Sequence, residues 1–289
     1  VHRICHIYCV GPAKAGTHSF AGLFQPFYRT GHEPEKEELI DKVLERARGE
    51  ASRDEVAAFL HQRDRRLRLD VDSSVYNYFV MDVLAEEFPG ARFVLLLRDC
   101  LSWADSCYNN FCAGVTPPQE MPFWDHWFEA ERYRHAPQEA VLAERGTYPL
   151  RCLLDAWSKA IRTTLETLPE DRRLLIRTHE LQSEVPRIAA FAGVGAASLD
   201  PRRAHLFKAR RKFGLLARID GRFLEEAAEE CCGEWMRVYF PEKTPLEWAF
   251  DEPTLRAKTK DSILADLAAA LRDSDPAAAG VRGTRLRAK

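Results

Sequence analysis

Short apolar runs alternate with longer stretches of helical periodicity along most of the chain. Residues 3–10, RICHIYCV, set Cys5, Ile7 and Cys9 against His6, Tyr8 and Val10, the period of two that marks a strand. A glycine-containing turn follows, and a helix is predicted from Thr17 to Tyr28. Residues 35–48 and 53–63 read as surface helices, 67–74 as a second strand and 76–88 as the helix after it. The run ARFVLLLRD, 91–99, is apolar between Pro89-Gly90 and a charged end, which suits a parallel strand buried on both faces. A helix over 101–111, an aromatic-rich insertion over 113–148, a long amphipathic helix over 148–168 and a strand over 172–181 complete the pattern.

Strands alternating with helices predict an α/β fold. The expectation is a single domain, 1–275, with a central, mainly parallel sheet flanked by helices and a P-loop-like strand–loop–helix at its start. Residues 276–289 are small and basic and read as a disordered tail. At 46% hydrophobic the chain can build a substantial core, and a net charge of −2 argues against a general nucleic-acid or membrane-surface binder. Eight cysteines in 289 residues have neither zinc-ribbon spacing nor the density of a disulfide framework, and read as buried reduced thiols. Val1 leads almost directly into the first strand, with no signal peptide or membrane helix. A bacterial cytoplasmic protein is expected, the alternative being a luminal catalytic domain whose leader has been removed. The oligomeric state is not predicted.

Two segments carry candidate chemistry. In VGPAKAGTHSF, 10–20, Gly11 and Gly16 are spaced as in a phosphate-binding loop and Thr17 follows the second. The lysine is displaced: Lys14 lies two residues before Gly16, where a nucleotide triphosphatase would place it directly after. Strand, glycine turn and helix start set the N–H groups of Ala15, Gly16, Thr17 and His18 around an anion at the positive end of the helix. Lys14 adds a full charge from inside the turn. In PGARFVLLLRDCLSWADSCYNNF, 89–111, Arg98 ends the buried strand and Ser106 lies eight residues on, two turns into the next helix. Ligands of open parallel sheets bind beyond the carboxyl ends of the strands. An arginine there grips a phosphate in bidentate fashion, with a serine hydroxyl as a further donor. Read separately, the first segment is an ordinary strand-to-helix connection and the second a structural ion pair.

Taken together, GPAKAGTHS and LLLRDCLSWADS resemble the sulfotransferases that use 3′-phosphoadenosine 5′-phosphosulfate. Looser echoes follow in HEP (32–34), DSSVYNYF (72–79) and RTHEL (177–181), so the resemblance covers most of residues 3–192. It implies that the first motif holds the 5′-phosphosulfate and that Lys14 contacts the bridging oxygen, where charge accumulates as the S–O bond breaks. It implies that Arg98 and Ser106 bind the 3′-phosphate, that adenosine 3′,5′-bisphosphate is a product, and that no metal is needed. The acceptor is expected to be a hydroxyl or amine of a small molecule or carbohydrate.

A base must take the acceptor's proton, and RTGHEPEK, 29–36, offers His32 and Glu33. Relatives use either type; those acting on carbohydrates put glutamate soon after this helix, which favours Glu33. The same relatives often carry a lysine before the DSSVYNYF-like segment, where this chain has Asp72 and Ser73, leaving Ser74 as a contact to the donor. PRRAHLFKARRKFG, 201–214, gathers six lysines and arginines in fourteen residues. The resemblance makes Lys208, Arg211 and Lys212 candidates to close over the 3′-phosphate; a solvated basic face is the alternative. In the insertion, Phe123, Trp124, Trp127, Phe128 and Tyr133 either wall the acceptor pocket or fill the core at helical spacing. Two rival functions stay open: an ATP-dependent P-loop kinase or phosphotransferase, and a nucleotide-binding regulator without turnover.

Overall fold

The computed structural model describes residues 3–204 and 212–242, together with 244 and 247. Five strands form one wholly parallel sheet: β1 (Ile7–Cys9), β2 (Thr30–His32), β3 (Val71–Ser73), β4 (Arg92–Leu97) and β5 (Arg173–Arg177), in the order β2-β3-β1-β4-β5. Ile7 pairs with Val71 on one side and with Arg92 on the other, which puts β1 at the centre. The centre is apolar on both faces because helices cover both: Phe93 to Leu97 are all buried. β4 and β5 are the longest pair, in register from Phe93↔Arg173 to Leu97↔Arg177.

The helices described are α1 (Thr17–Phe24), α2 (Lys36–Ala47), α3 (Arg53–Leu67), α4 (Met81–Glu87), α5 (Cys100–Cys112), α6 (Met121–Phe128), α7 (Ala140–Glu144), α8 (Leu150–Thr167), α9 (Val185–Ala192) and α10 (Gly221–Tyr239). Several boundaries differ from the sequence reading for physical reasons. α1 stops at Phe24 and not Tyr28, because Pro26 has no N–H to extend the ladder. The predicted helix over 76–88 is split: Val75–Val80 is a 3₁₀ turn, opened by the Ser74 hydroxyl accepting from Tyr76 N at 3.3 Å. α3 starts at a capping box, in which Glu55 N donates to Ser52 Oγ and Ser52 N to Glu55 Oε2. α9 and α10 carry no counterpart in that reading. Neither does β2, whose three residues TGH show no apolar alternation and form a strand only by pairing with β3.

Successive residues of β3 fix which helix lies on which face. The Ser73 hydroxyl donates to the Thr17 carbonyl at 2.8 Å, so α1 covers one face. Asp72 points the other way into a buried ion pair with Arg63 of α3, and Asn77 Nδ2 donates to the same carboxylate at 3.1 Å. Removing one partner of such a pair costs roughly 3–5 kcal/mol, since the other charge is left buried. On the far side of the sheet α8 packs against α5 and α10, and its Trp157 is fully buried. The aromatic insertion joins this core: Phe123, Trp124, Trp127 and Phe128 of α6 are buried, with Trp127 against Trp103 and Phe123 against Tyr76. All eight cysteines are free. Among the described residues no helix is long and apolar enough to cross a membrane.

Candidate active site

In a parallel sheet every strand ends at the same edge, so the segments after β1, β2, β3, β4 and β5 gather there. β1 sends its connection towards β2, while its neighbour β4 sends its connection towards β5. The crevice of an open α/β sheet lies where neighbouring connections part in this way. Lys14 follows β1 and Arg98 follows β4, so the two cations flank that switch point.

The loop after β1 is built for close approach. A Cβ on Gly11 would meet the Leu96 backbone N at 2.9 Å, and one on Gly16 would meet Thr178 Cγ2 at the same distance. Gly16 also has φ 105°, a conformation that side chains rarely adopt. Ala15 N closes a turn onto the Pro12 carbonyl at 3.2 Å, and Lys14 holds its third position with φ 65°. Glycine or asparagine is the usual residue there, so the lysine is held at a conformational cost. Trp103 Nε1 donates to the Ala13 carbonyl at 2.6 Å, and the Thr178 hydroxyl sits between the carbonyls of Ala15 and Leu97. α1 begins at Gly16 with no side chain capping its first N–H groups. Uncapped N–H groups at a helix start are the arrangement that receives an anion.

Lys14 Nζ donates to Asn110 Oδ1 at 3.1 Å. Burial lowers its pKa, with the Arg98 charge acting the same way and those of Cys107 and Glu33 opposing. Arg98 Nε donates to Ser102 Oγ at 2.8 Å, and the Arg98 carbonyl accepts from Trp157 Nε1 at 2.9 Å. Asp99 is buried and caps α5 by accepting from Ser102 N at 2.9 Å, so the acid beside Arg98 is a helix cap. Ser102, Ser106 and Asn110 are spaced four apart on α5 and share a face, which joins the Arg98 and Lys14 ends of the site. Asn109 fastens the returning chain there: its Oδ1 accepts from Phe213 N and its Nδ2 donates to Asp105 Oδ2, both at 2.7 Å. Burial raises the Asp105 pKa, and the charges of Lys212 and Arg98 pull it back. Lys212 is thereby placed with Arg98 and Ser106. Lys208 and Arg211 lie outside the described residues.

His32 ends β2, with Nε2 3.2 Å from Thr17 Oγ1 and its ring 4.6 Å from that of His18. Burial first, then the charges of His18 and Lys14, push its pKa down to about 4. Glu33 follows with φ 50°, its N–H donating to the Ser73 carbonyl at 3.0 Å. Its carboxyl is shifted the opposite way: burial and the nearby Glu120 raise its pKa, while Lys36 and Lys14 hold it back. The strand-end turn thus presents a neutral imidazole and a carboxylate of raised basicity near Lys14.

The sequence-predicted residues therefore divide. Lys14, Ala15, Gly16, Thr17, His18, His32, Glu33, Arg98, Ser106 and Lys212 share one edge of the sheet. Ser74 is fully buried and serves as the cap of the turn after β3. Asp72 belongs to the opposite face and does not occupy the place of a second catalytic cation. Of the five aromatics, four are core, and Tyr133 is half-buried with its hydroxyl donating to Asp155 at 2.8 Å. Sequence reasoning missed Ser102, Asn110, Thr178 and Glu120. Only Ser102 and Asn110 carried a signal, their four-residue spacing about Ser106. Two other hollows lie away from this edge: a void of about 10 Å³ beside Arg63, and an open basin of about 360 Å³ at the amino ends of β1 and β4. The first is about the size of one water, and neither holds Lys14 or Arg98.

No protein-family model and no curated protein matches the chain. Among solved structures it is similar to a sulfotransferase from Alicyclobacillus acidocaldarius, at 18% identity and a TM-score of 0.47, over 82% of this chain and 96% of that one.

Proposed function

We propose that the protein transfers a sulfonate group from 3′-phosphoadenosine 5′-phosphosulfate to a hydroxyl or amine of a small molecule or carbohydrate. The observation that carries this reading is the placement of Lys14 and Arg98 on either side of the switch point between β1 and β4. The uncapped start of α1 lies next to Lys14. The spacing between glycines and lysine supports the same donor, through the sequence resemblance described above.

In this reading the 5′-phosphosulfate lies on the loop N–H groups of Ala15 to His18. Arg98 and Ser106, with Lys212 over them, take the 3′-phosphate. The acceptor oxygen or nitrogen attacks sulfur in line, the bond from sulfur to the bridging oxygen breaks, and the phosphate leaves with that electron pair. Lys14 stabilises the charge on the bridging oxygen. Glu33 receives the acceptor's proton, and its raised pKa makes it the stronger base of the two candidates. His32, held near pKa 4 and engaged with Thr17, lines the anion side as a neutral donor.

The test is thermal shift with adenosine 3′,5′-bisphosphate, against ATP with magnesium. At 100 times its Kd a ligand adds about 2.7 kcal/mol of stability, so selective binding is easily read. Stabilisation by the bisphosphate and its loss in Arg98→Ala are expected. Stabilisation by ATP with magnesium alone would place the protein with phosphotransferases.

A further inference from the structure

Of the two readings of the insertion that separates α5 from α8, acceptor wall or core, four of its five aromatic rings take the second. What it sends to the site is a carboxylate. Glu120, immediately before α6, is buried, its side chain only 9% exposed, and its Oε1 accepts from Lys36 Nζ at 2.6 Å. Lys36 opens α2, three residues after Glu33. The Tyr76 phenol faces the same carboxylate, and its ring meets Phe123 edge-on at 4.8 Å. α6 packs directly on α2, so Glu120 is set by the insertion's own core and not by a flexible side chain.

Resting on the reading of Glu33 as the base, we propose that Glu120 is a positioning residue that engages the Lys36 ammonium and so keeps Glu33 a free, basic carboxylate. Without it, the acid charges left bearing on Lys36 are those of Glu33 and Glu37. A salt-bridged carboxylate is a weak base, because the cation stabilises its charged form. The charged groups bearing on Glu33 are Lys14 from the β1 loop, Lys36 from α2 and Glu120 from the insertion, with the neutral Tyr76 phenol beside Glu120. Glu120 acts on this set twice, as a like charge near Glu33 and as the partner of Lys36. Both effects have the same sign: its charge raises the basicity of Glu33.

Glu120→Gln keeps the shape and removes the charge. The primary readout is the titration of the Glu33 carboxyl carbon by NMR, assigned by its disappearance in Glu33→Gln. A second readout is the acid limb of kcat/KM. Both should move to lower pH by about one unit, within the range a single nearby charge produces. Glu120→Asp should restore most of the shift. A Glu33 titration unmoved in folded Glu120→Gln overturns the proposal, whatever the activity. A titration that moves in a protein that transfers sulfonate to no acceptor upholds the coupling and sinks the reading of Glu33 as base. If Glu120→Gln fails to fold, Lys36→Met takes its place: the Glu33 titration must then rise, and an unmoved one overturns the proposal.

Discussion

Lys14 concentrates the residue-scale problem. A side chain with φ 65° in a turn costs on the order of 1–2 kcal/mol against glycine, and burial further disfavours its charge. Neither cost is needed to close the loop, since glycine would close it better. Lys14→Gly is therefore expected to fold with no loss of stability, and with a gain of up to about 1 kcal/mol once glycine's own unfolded-state entropy is subtracted. Its sulfonate transfer should fall by about 10²–10³, the usual loss when one donor to a developing oxyanion is removed. Urea midpoints and turnover at saturating donor check the pair, and a less stable or fully active variant would contradict it. The lysine was legible in the sequence because its unusual place between two glycines is a local pattern. Its pairing with Asn110 was not, since the two are 96 residues apart and meet only when β1 and β4 pair.

At the scale of elements, legibility followed how much of an element's stability is local. β4 and α8 announce themselves by an apolar run and by a long amphipathic period, and both stand within a few residues of expectation. β2 has no such signature, yet it carries His32 and delivers Glu33 into the site. Its extended form is imposed by β3, so no window of sequence around it could show it. The connection between β5 and the loop after β1 is of the same kind. Thr178 begins the turn after β5, and its hydroxyl bridges the Ala15 and Leu97 carbonyls while its methyl fills the space beside Gly16. Thr178→Val preserves the volume and deletes the bridge. A loss of about 1 kcal/mol is expected from the missing hydrogen bond, together with weaker binding of adenosine 3′,5′-bisphosphate as the Lys14 and Arg98 ends lose their common tie. Calorimetric titration measures the second effect; equal stability loss with unchanged bisphosphate affinity would make the bridge a feature of the fold alone.

Across the whole molecule, the burial of two histidines sets how stability responds to acid. The chain carries only −2 overall, so this is a matter of placement and not of net charge. His32 is held near pKa 4 in the folded protein, against an ordinary histidine value of about 6.5 when unfolded. Between those values the unfolded chain binds a proton that the folded one refuses, so stability is lost as pH falls through this window. His6, at the amino edge of the sheet, is also held near 4, by burial and by Arg3. Each histidine contributes a slope of up to about 1.4 kcal/mol per pH unit. Glu33 acts in the opposite sense: its raised pKa makes the folded state the better proton binder above 4.5, which offsets part of the loss. His32→Gln should therefore flatten the fall in unfolding free energy between pH 6.5 and 4.5 and leave the alkaline side unchanged. Adenosine 3′,5′-bisphosphate should flatten it in the native protein as well, since an anion beside His32 favours its protonated form. Urea unfolding at a series of pH values, with and without the bisphosphate, reads both effects. A slope unaltered by His32→Gln would mean that the imidazole is already protonated in the folded protein, and the neutral donor assigned to the anion side would have to be a cation.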